Sequence, residues 1–300
     1  MRRESRAYIL ALSLALGAAS NISGQERTFT TIDFPGASYT FAWGINPRGD
    51  IVGEFGIGAK SHGFLLSGGS YTSIDFPGAD STFAVGINAR GDIVGGYVSA
   101  GDGVFHGFLL SGGSYTSIDF PGAISSFANG IGPQGDIVGD YSLTSKVDCC
   151  APGTHGFLLS GGQFTTIDVP GSTFGYASGI NPRGEIAGSD VLNGVPVAYL
   201  LSGSNYITID ARTQFPGVTF TNGRGINPRG DVVGRYVFGG KSYGYVWSGG
   251  QFTTIDVPGA IFTGAGGINP EGDIVGRYRS ADRVYHGFLL SKGHEANEQK

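Results

Sequence analysis

Carboxylates, guanidiniums and an indole recur at one fixed offset in this 300-residue chain. The residue before a Gly-Ile pair is in turn Trp43, Val85, Asn129, Ser178, Arg224 and Gly266, and eleven residues later stand Glu54, Gly96, Asp140, Ser189, Arg235 and Arg277. The constant offset suggests proximity across each hairpin. The chemistry on offer is anion recognition: an Arg fork takes a carboxylate or sulfate in bidentate fashion, and a Trp face packs against the apolar side of a sugar ring. Trp43, Asn129, Arg224, Arg235 and Arg277 are therefore the candidate ligand-binding residues. The alternative is catalysis by Glu54 and Asp140, one protonating a leaving group while the other activates water or attacks. No nucleophile motif, metal-ligand cluster or cofactor fingerprint accompanies them, so no cofactor or metal is expected.

These residues belong to a repeat. The dipeptide Ile-Asp recurs with its aspartate at Asp33, Asp75, Asp119, Asp168, Asp210 and Asp256, at periods of 42, 44, 49, 42 and 46. The second copy reads SYTSIDFPGADSTFAVGINARGDIVGGY, a loop, then HGFLLSGG. The 55 glycines far exceed the usual share of about 7%, and charged residues reach only 14%, so long helices are excluded. At 40% apolar residues the chain is also too hydrophobic to be disordered. Short β-branched and aromatic runs bounded by Gly, Pro, Ser and Asn read as strands. In Asn46-Pro47-Arg48-Gly49-Asp50 the Pro suits a type I turn, and Gly can adopt the left-handed conformation that returns a short hairpin. Ser67-Gly68-Gly69 supplies the next hairpin, so each copy is a meander of four antiparallel strands.

Four-stranded units at this period indicate an all-β fold, a β-propeller. Strands FAxGIN, DIVGxY, HGFLL and YTSIDF each occur six times, but the chain opens on a lone copy of the last and ends after a copy of the third. The expectation is a six-bladed propeller over residues 28–293, closed by Thr28–Phe34 completing the last blade. Its closed ring leaves no spare edge strand and predicts a monomer.

A residue present in every blade lies on a symmetric ring, which argues against chemistry. His62, His106, His155 and His286 would stand about 17 Å from their neighbours on such a ring, too far to share a zinc whose ligands lie about 2 Å away. Structural hydrogen bonding is expected of them, and of the Ile-Asp aspartates. The triplets Arg48-Gly49-Asp50, Arg90-Gly91-Asp92 and Arg229-Gly230-Asp231 invite an adhesion reading, but turn chemistry accounts for them. Gly53 to Ser61 resembles a phosphate loop superficially, with Lys60 one residue late and no helix to follow.

The template GINxxGxIVGxY, a variable loop, then HGF, resembles the HAF-family extracellular repeat of bacterial exported proteins, with Gly where that family's name has Ala. The match covers residues 28–293, and the fourth copy departs with Val197-Ala198-Tyr199. The resemblance implies an exported, propeller-like repeat protein and carries no catalytic residues across. The opening MRRESRAYILALSLALGAAS agrees with export: Arg2, Arg3 and Arg6 precede an apolar run from Tyr8 to Ala19, as in a signal peptide over residues 1–20. That run is too short to span a bilayer, and no membrane span is expected. The localisation expected is secreted or periplasmic. Residues 294–300 form a polar tail.

The net charge of −5 leaves no basic footprint for nucleic acid. Cys149 and Cys150 are neighbours in the longest loop. Their Cα atoms, about 3.8 Å apart, fall below the usual 4.4 Å for a disulfide, which leaves a strained vicinal bond, an intermolecular bond or two thiols. Loops joining the second to the third strand, and the fourth to the next first, share one face and vary between copies. That face is the expected binding surface for an extracellular glycan or a surface protein.

Overall fold

The computed structural model describes residues 27–101, 103–144 and 153–292. The signal-peptide segment 1–20, Cys149 and Cys150, and the tail 294–300 lie outside them. No α-helix occurs among the described residues, and a single 3-10 turn, Ala211–Thr213, interrupts an otherwise all-β chain.

The first meander shows how sequence makes strand. Thr40–Ile45, Ile51–Ile57, Lys60–Ser67 and Ser70–Ile74 pair antiparallel in chain order. Between the first two, Gly49 N–H donates to Asn46 O at 3.0 Å and Gly49 adopts φ +80°. Only a residue without Cβ takes that conformation freely. Residues 79–118, 125–167 and 172–209 repeat the same order as separate four-stranded sheets.

The remaining strands depart from the expectation of six separate sheets. The four strands of 220–255 and the three of 262–292, with Arg27–Ile32, form one eight-stranded sheet, so four separate four-stranded sheets stand beside it. The physical reason is local. One parallel pair, Ser242 opposite Phe262, brings the third strand of one unit against the first strand of the next.

The N-terminal strand supplies the missing outer strand. Arg27–Ile32 runs antiparallel to Tyr285–Lys292, in register from Arg27 opposite Lys292 to Ile32 opposite Gly287. It ends two residues earlier than expected because the Phe34 N–H turns to Thr40 Oγ1, at 2.9 Å, and Pro35 has no N–H to offer. Completion of this sheet does not abolish edges. The outer strands, five-residue Ser70–Ile74 and six-residue Arg27–Ile32 among them, remain edges.

The core lies between sheets. Val52 packs with Ile74, Ala84, Ile93 and Phe108; Val94 with Ile118, Ala128 and Phe157; Val138 with Ile167, Ala177 and Tyr199. Ala187 and Val233 repeat the pattern, and Val275 meets Ile32, Ala42 and Phe64 of the first meander, which brings the circuit back to its start. The repeated Gly of Gly-Ile permits close approach of the inner strands: a Cβ on Gly44 would fall 2.6 Å from Val85 O.

Candidate functional site

Each inner strand carries a register shift at the residue before Gly-Ile. Pairing skips between Ala42 and Gly44, Ala84 and Gly86, Ala128 and Gly130, Ala177 and Gly179, Gly223 and Ile226, and Ala265 and Gly267. A bulge of this kind re-aims the side chain of the extra residue. Trp43, Val85, Asn129, Ser178, Arg224 and Gly266 accordingly line one axial channel of about 90 Å³ together with the Gly-Ile pairs that follow them. Sequence spacing placed these residues on a ring but did not disclose the bulge.

Trp43 is the centre of the charged side of this ring. The Arg277 guanidinium lies 4.3 Å from the Trp43 ring centroid and that of Arg224 lies 5.1 Å from it. Arg277 also approaches Phe41 at 4.8 Å, Arg224 approaches Tyr176 at 5.6 Å, and Arg235 sits 4.3 Å from Phe220. Contacts at these distances are favourable for a cation over a ring face. Trp43, Arg224, Arg235 and Arg277 line a second cavity of about 10 Å³, room for a single water. The structure thus brings together four of the five expected ligand-binding residues. Phe41, Tyr176, Phe220 and Phe262 were not anticipated. An aromatic two to four residues ahead of the bulge is the signal that would have found them.

Glu54 enters the same cluster from the second strand, opposite Phe41. Burial pushes its carboxyl up to about 7, while Arg277, the Trp43 indole and Arg224 favour the ionised form. The indole N–H lies near this carboxylate, yet no acceptor completes a hydrogen bond to the buried Nε1. Burial and the neighbouring Arg224 push the Arg277 guanidinium down to about 9, against the pull of Glu54. It therefore remains a cation at neutral pH. Arg277 and Arg224 make no hydrogen bond or ion pair among the described residues.

Asn129 and Asp140 form a different group. The Asn129 amide donates to Asp140 Oδ1 at 2.7 Å and to Ala177 O at 3.1 Å. This contact realises the expected proximity across a hairpin, but it also engages Asp140 with a local amide, whereas Glu54 faces arginines. Ser178, also on the channel, is 7% exposed and its buried Oγ has no hydrogen-bond partner.

The repeated polar residues are structural. His62, His106, His155 and His286 pair through Nδ1 with Asp75, Asp119, Asp168 and Asp33 at 2.7 to 2.9 Å. Their rings stack on Phe55, Tyr97, Tyr141 and Tyr278 at 5.0 to 5.4 Å. In the Arg-Gly-Asp turns, Asn46 Oδ1 accepts from the N–H groups of Arg48 and Asp50, and Ser67 Oγ donates to Asp50 Oδ1 at 2.6 Å. Burial alone would raise the Asp50 carboxyl, but Ser67, Asn46 and Arg48 outweigh it and hold the group below its ordinary value. Arg48 bonds Ala89 O of the next meander, as Arg90 does Pro133 O and Arg229 does Pro270 O at 2.8 Å. These arginines strap adjacent units together.

Large apolar side chains are exposed unevenly. Ile57, Ile124, Leu143, Phe238, Ile261 and Val284 are exposed at second-to-third or fourth-to-first connections on the variable face, and Ile207 is exposed on the outer strand Asn205–Ile209. No helix among the described residues is long and apolar enough to cross a membrane.

The chain matches no protein-family model and no curated protein sequence. Its fold is similar to solved β-propellers. The β-propeller domain of the Trilobed protease from Pyrococcus furiosus aligns at TM-score 0.51 and 11% identity, over 87% of this chain and 99% of that one. TolB from Acinetobacter baumannii aligns at 0.51 and 14%, over 85% of this chain and 64% of that one. Regucalcin from Agrobacterium tumefaciens, a calcium-binding protein, aligns at 0.50 and 12%, over 85% and 90%. At such identities the likeness concerns fold and not activity: the chain is an all-β β-propeller with four-stranded antiparallel blades.

Proposed function

We propose that this protein is an exported, monomeric propeller of HAF-type repeats that binds an acidic extracellular ligand, an acidic polysaccharide or a cell-surface component, near the axis of its variable face. The observation that carries this reading is the stacking of Arg277 and Arg224 on Trp43, with no ion pair to either guanidinium. Arg277 and Arg224 meet one carboxyl whose charge burial opposes, an excess that favours an anionic guest. On this reading the eight-stranded sheet is two blades joined by a single residue pair, and the ring proposed has six blades.

A protein-interaction platform is the second reading, favoured by the apolar side chains from Ile57 to Val284 exposed on the same face. A polysaccharide-degrading enzyme is the third, in which Glu54 serves as the acid. Incubation with neutral and acidic polysaccharides, following retention and sugar release together, separates them. Retention of acidic chains without release is expected, and Arg224→Ala with Arg235→Ala should abolish it. Unchanged retention in that variant would overturn the arginine site, and release that disappears in Glu54→Gln would make the protein an enzyme.

A further inference from the structure

We propose that the axial channel is an oxyanion socket that takes a single acidic group, a carboxylate or sulfate, end-on between Arg224 and Ser178. The inference rests on the acidic-ligand reading and specifies how much of such a ligand enters the protein.

Ser178 supplies the independent observation. Its hydroxyl is buried on the channel wall and meets no partner, and the Trp43 indole Nε1 at the same bulge of the first meander likewise meets none. Asn129 spends both amide donors on Asp140 and Ala177, and Val85 and Gly266 have no polar side chain. A buried hydroxyl without a partner is destabilising unless a guest completes it. Arg224 borders the channel from the next unit. Its face is covered by Trp43 and Tyr176, while its in-plane N–H donors meet no acceptor. A cation and a hydroxyl on one wall, both unsatisfied, match the acceptors of a carboxylate or sulfate.

Size sets the rest. The channel holds about 90 Å³, room for several waters, against about 10 Å³ and a single water in the neighbouring cavity. A single acidic group fits. Gly266 keeps the wall between Arg224 and Trp43 bare, since a Cβ there would fall 2.9 Å from Trp43 O.

The chain has two tryptophans, so Trp247→Phe leaves Trp43 as the sole indole and a reporter beside the socket. Its emission is titrated with acetate, sulfate, glucuronate and glucose, in a bulky sulfonate buffer at fixed ionic strength. Saturable changes with the three anions, mutual competition among them and no response to glucose are expected. Ser178→Ala should weaken binding about tenfold, and Arg224→Met should abolish it, with thermal melts showing that both variants fold. No saturable response, or equal affinity in Ser178→Ala, overturns the socket. Acidic polysaccharide retained equally by parent and Ser178→Ala, without small-anion binding, refutes the socket and leaves the polysaccharide reading standing. Small-anion binding without polysaccharide retention supports the socket and removes the polysaccharide; glucuronate binding more tightly than acetate identifies a saccharide acid as the source.

Discussion

At the scale of single residues, Glu54 has the most consequential environment. Its carboxyl holds its proton to about pH 7, against an ordinary value of 4.5, because burial outweighs the attraction of Arg277, Trp43 and Arg224. Between those two values the folded chain binds a proton that the unfolded chain has released. Stability therefore falls as pH rises from about 4.5 to 7 and levels off above. Glu54→Gln, neutral throughout, should flatten this slope and gain up to about 3 kcal/mol on the parent at pH 8. Denaturant midpoints of both proteins at pH 5 and pH 8 check this. An identical slope in the variant would assign the titration to another group. The Asp50 type of carboxylate acts in the opposite direction: held below its ordinary value, it favours the fold above that value, and the contribution is lost as pH falls through the lowered one.

At the scale of elements, the strand Arg27–Ile32 joins the two ends of the chain. Six residues pair with Tyr285–Lys292, Ile32 enters the core beside Phe64 and Val275, and Arg27 donates to Gly272 O at 2.9 Å. Phe34, just beyond, stacks on Phe55 at a centroid distance of 3.6 Å. Deleting residues 21–36 strips the last sheet of its outer strand and uncovers the core between the chain's two ends. The melting temperature should drop by 10 °C or more, on the order expected when several buried apolar side chains and a row of ladder bonds are lost together. A melt within two or three degrees of the parent would mean that the strand merely decorates the ring.

At the scale of the whole molecule, every core cluster is shared by neighbouring units and the circuit returns to its start through Val275 and Ile32. An open array of repeats can fray from its ends, because each unit contacts only its neighbours. A closed one has no free end. Calorimetry should therefore record one transition whose van't Hoff and calorimetric enthalpies agree. Two resolved transitions would show that the eight-stranded sheet melts apart from the other four.

Periodicity alone determined much of this protein. Ile-Asp and Gly-Ile at a period near 45, with Gly at each turn, dictate four-stranded meanders, since strand alternation and turn chemistry are local and need no distant partner. The closing strand was legible for the same reason, as the one element left over at each end. The constant offset from Trp43 to Glu54 and from Asn129 to Asp140 also announced proximity across the hairpin. Three things required the tertiary structure. The bulge before Gly-Ile is a property of two paired strands. The sheet shared by residues 220–255 and 262–292 depends on how near Ser242 comes to Phe262. The contact of Arg277 and Arg224 with Trp43, across more than 180 residues of chain, arises only when the ring closes, because side chains far apart in sequence acquire a common environment only by packing.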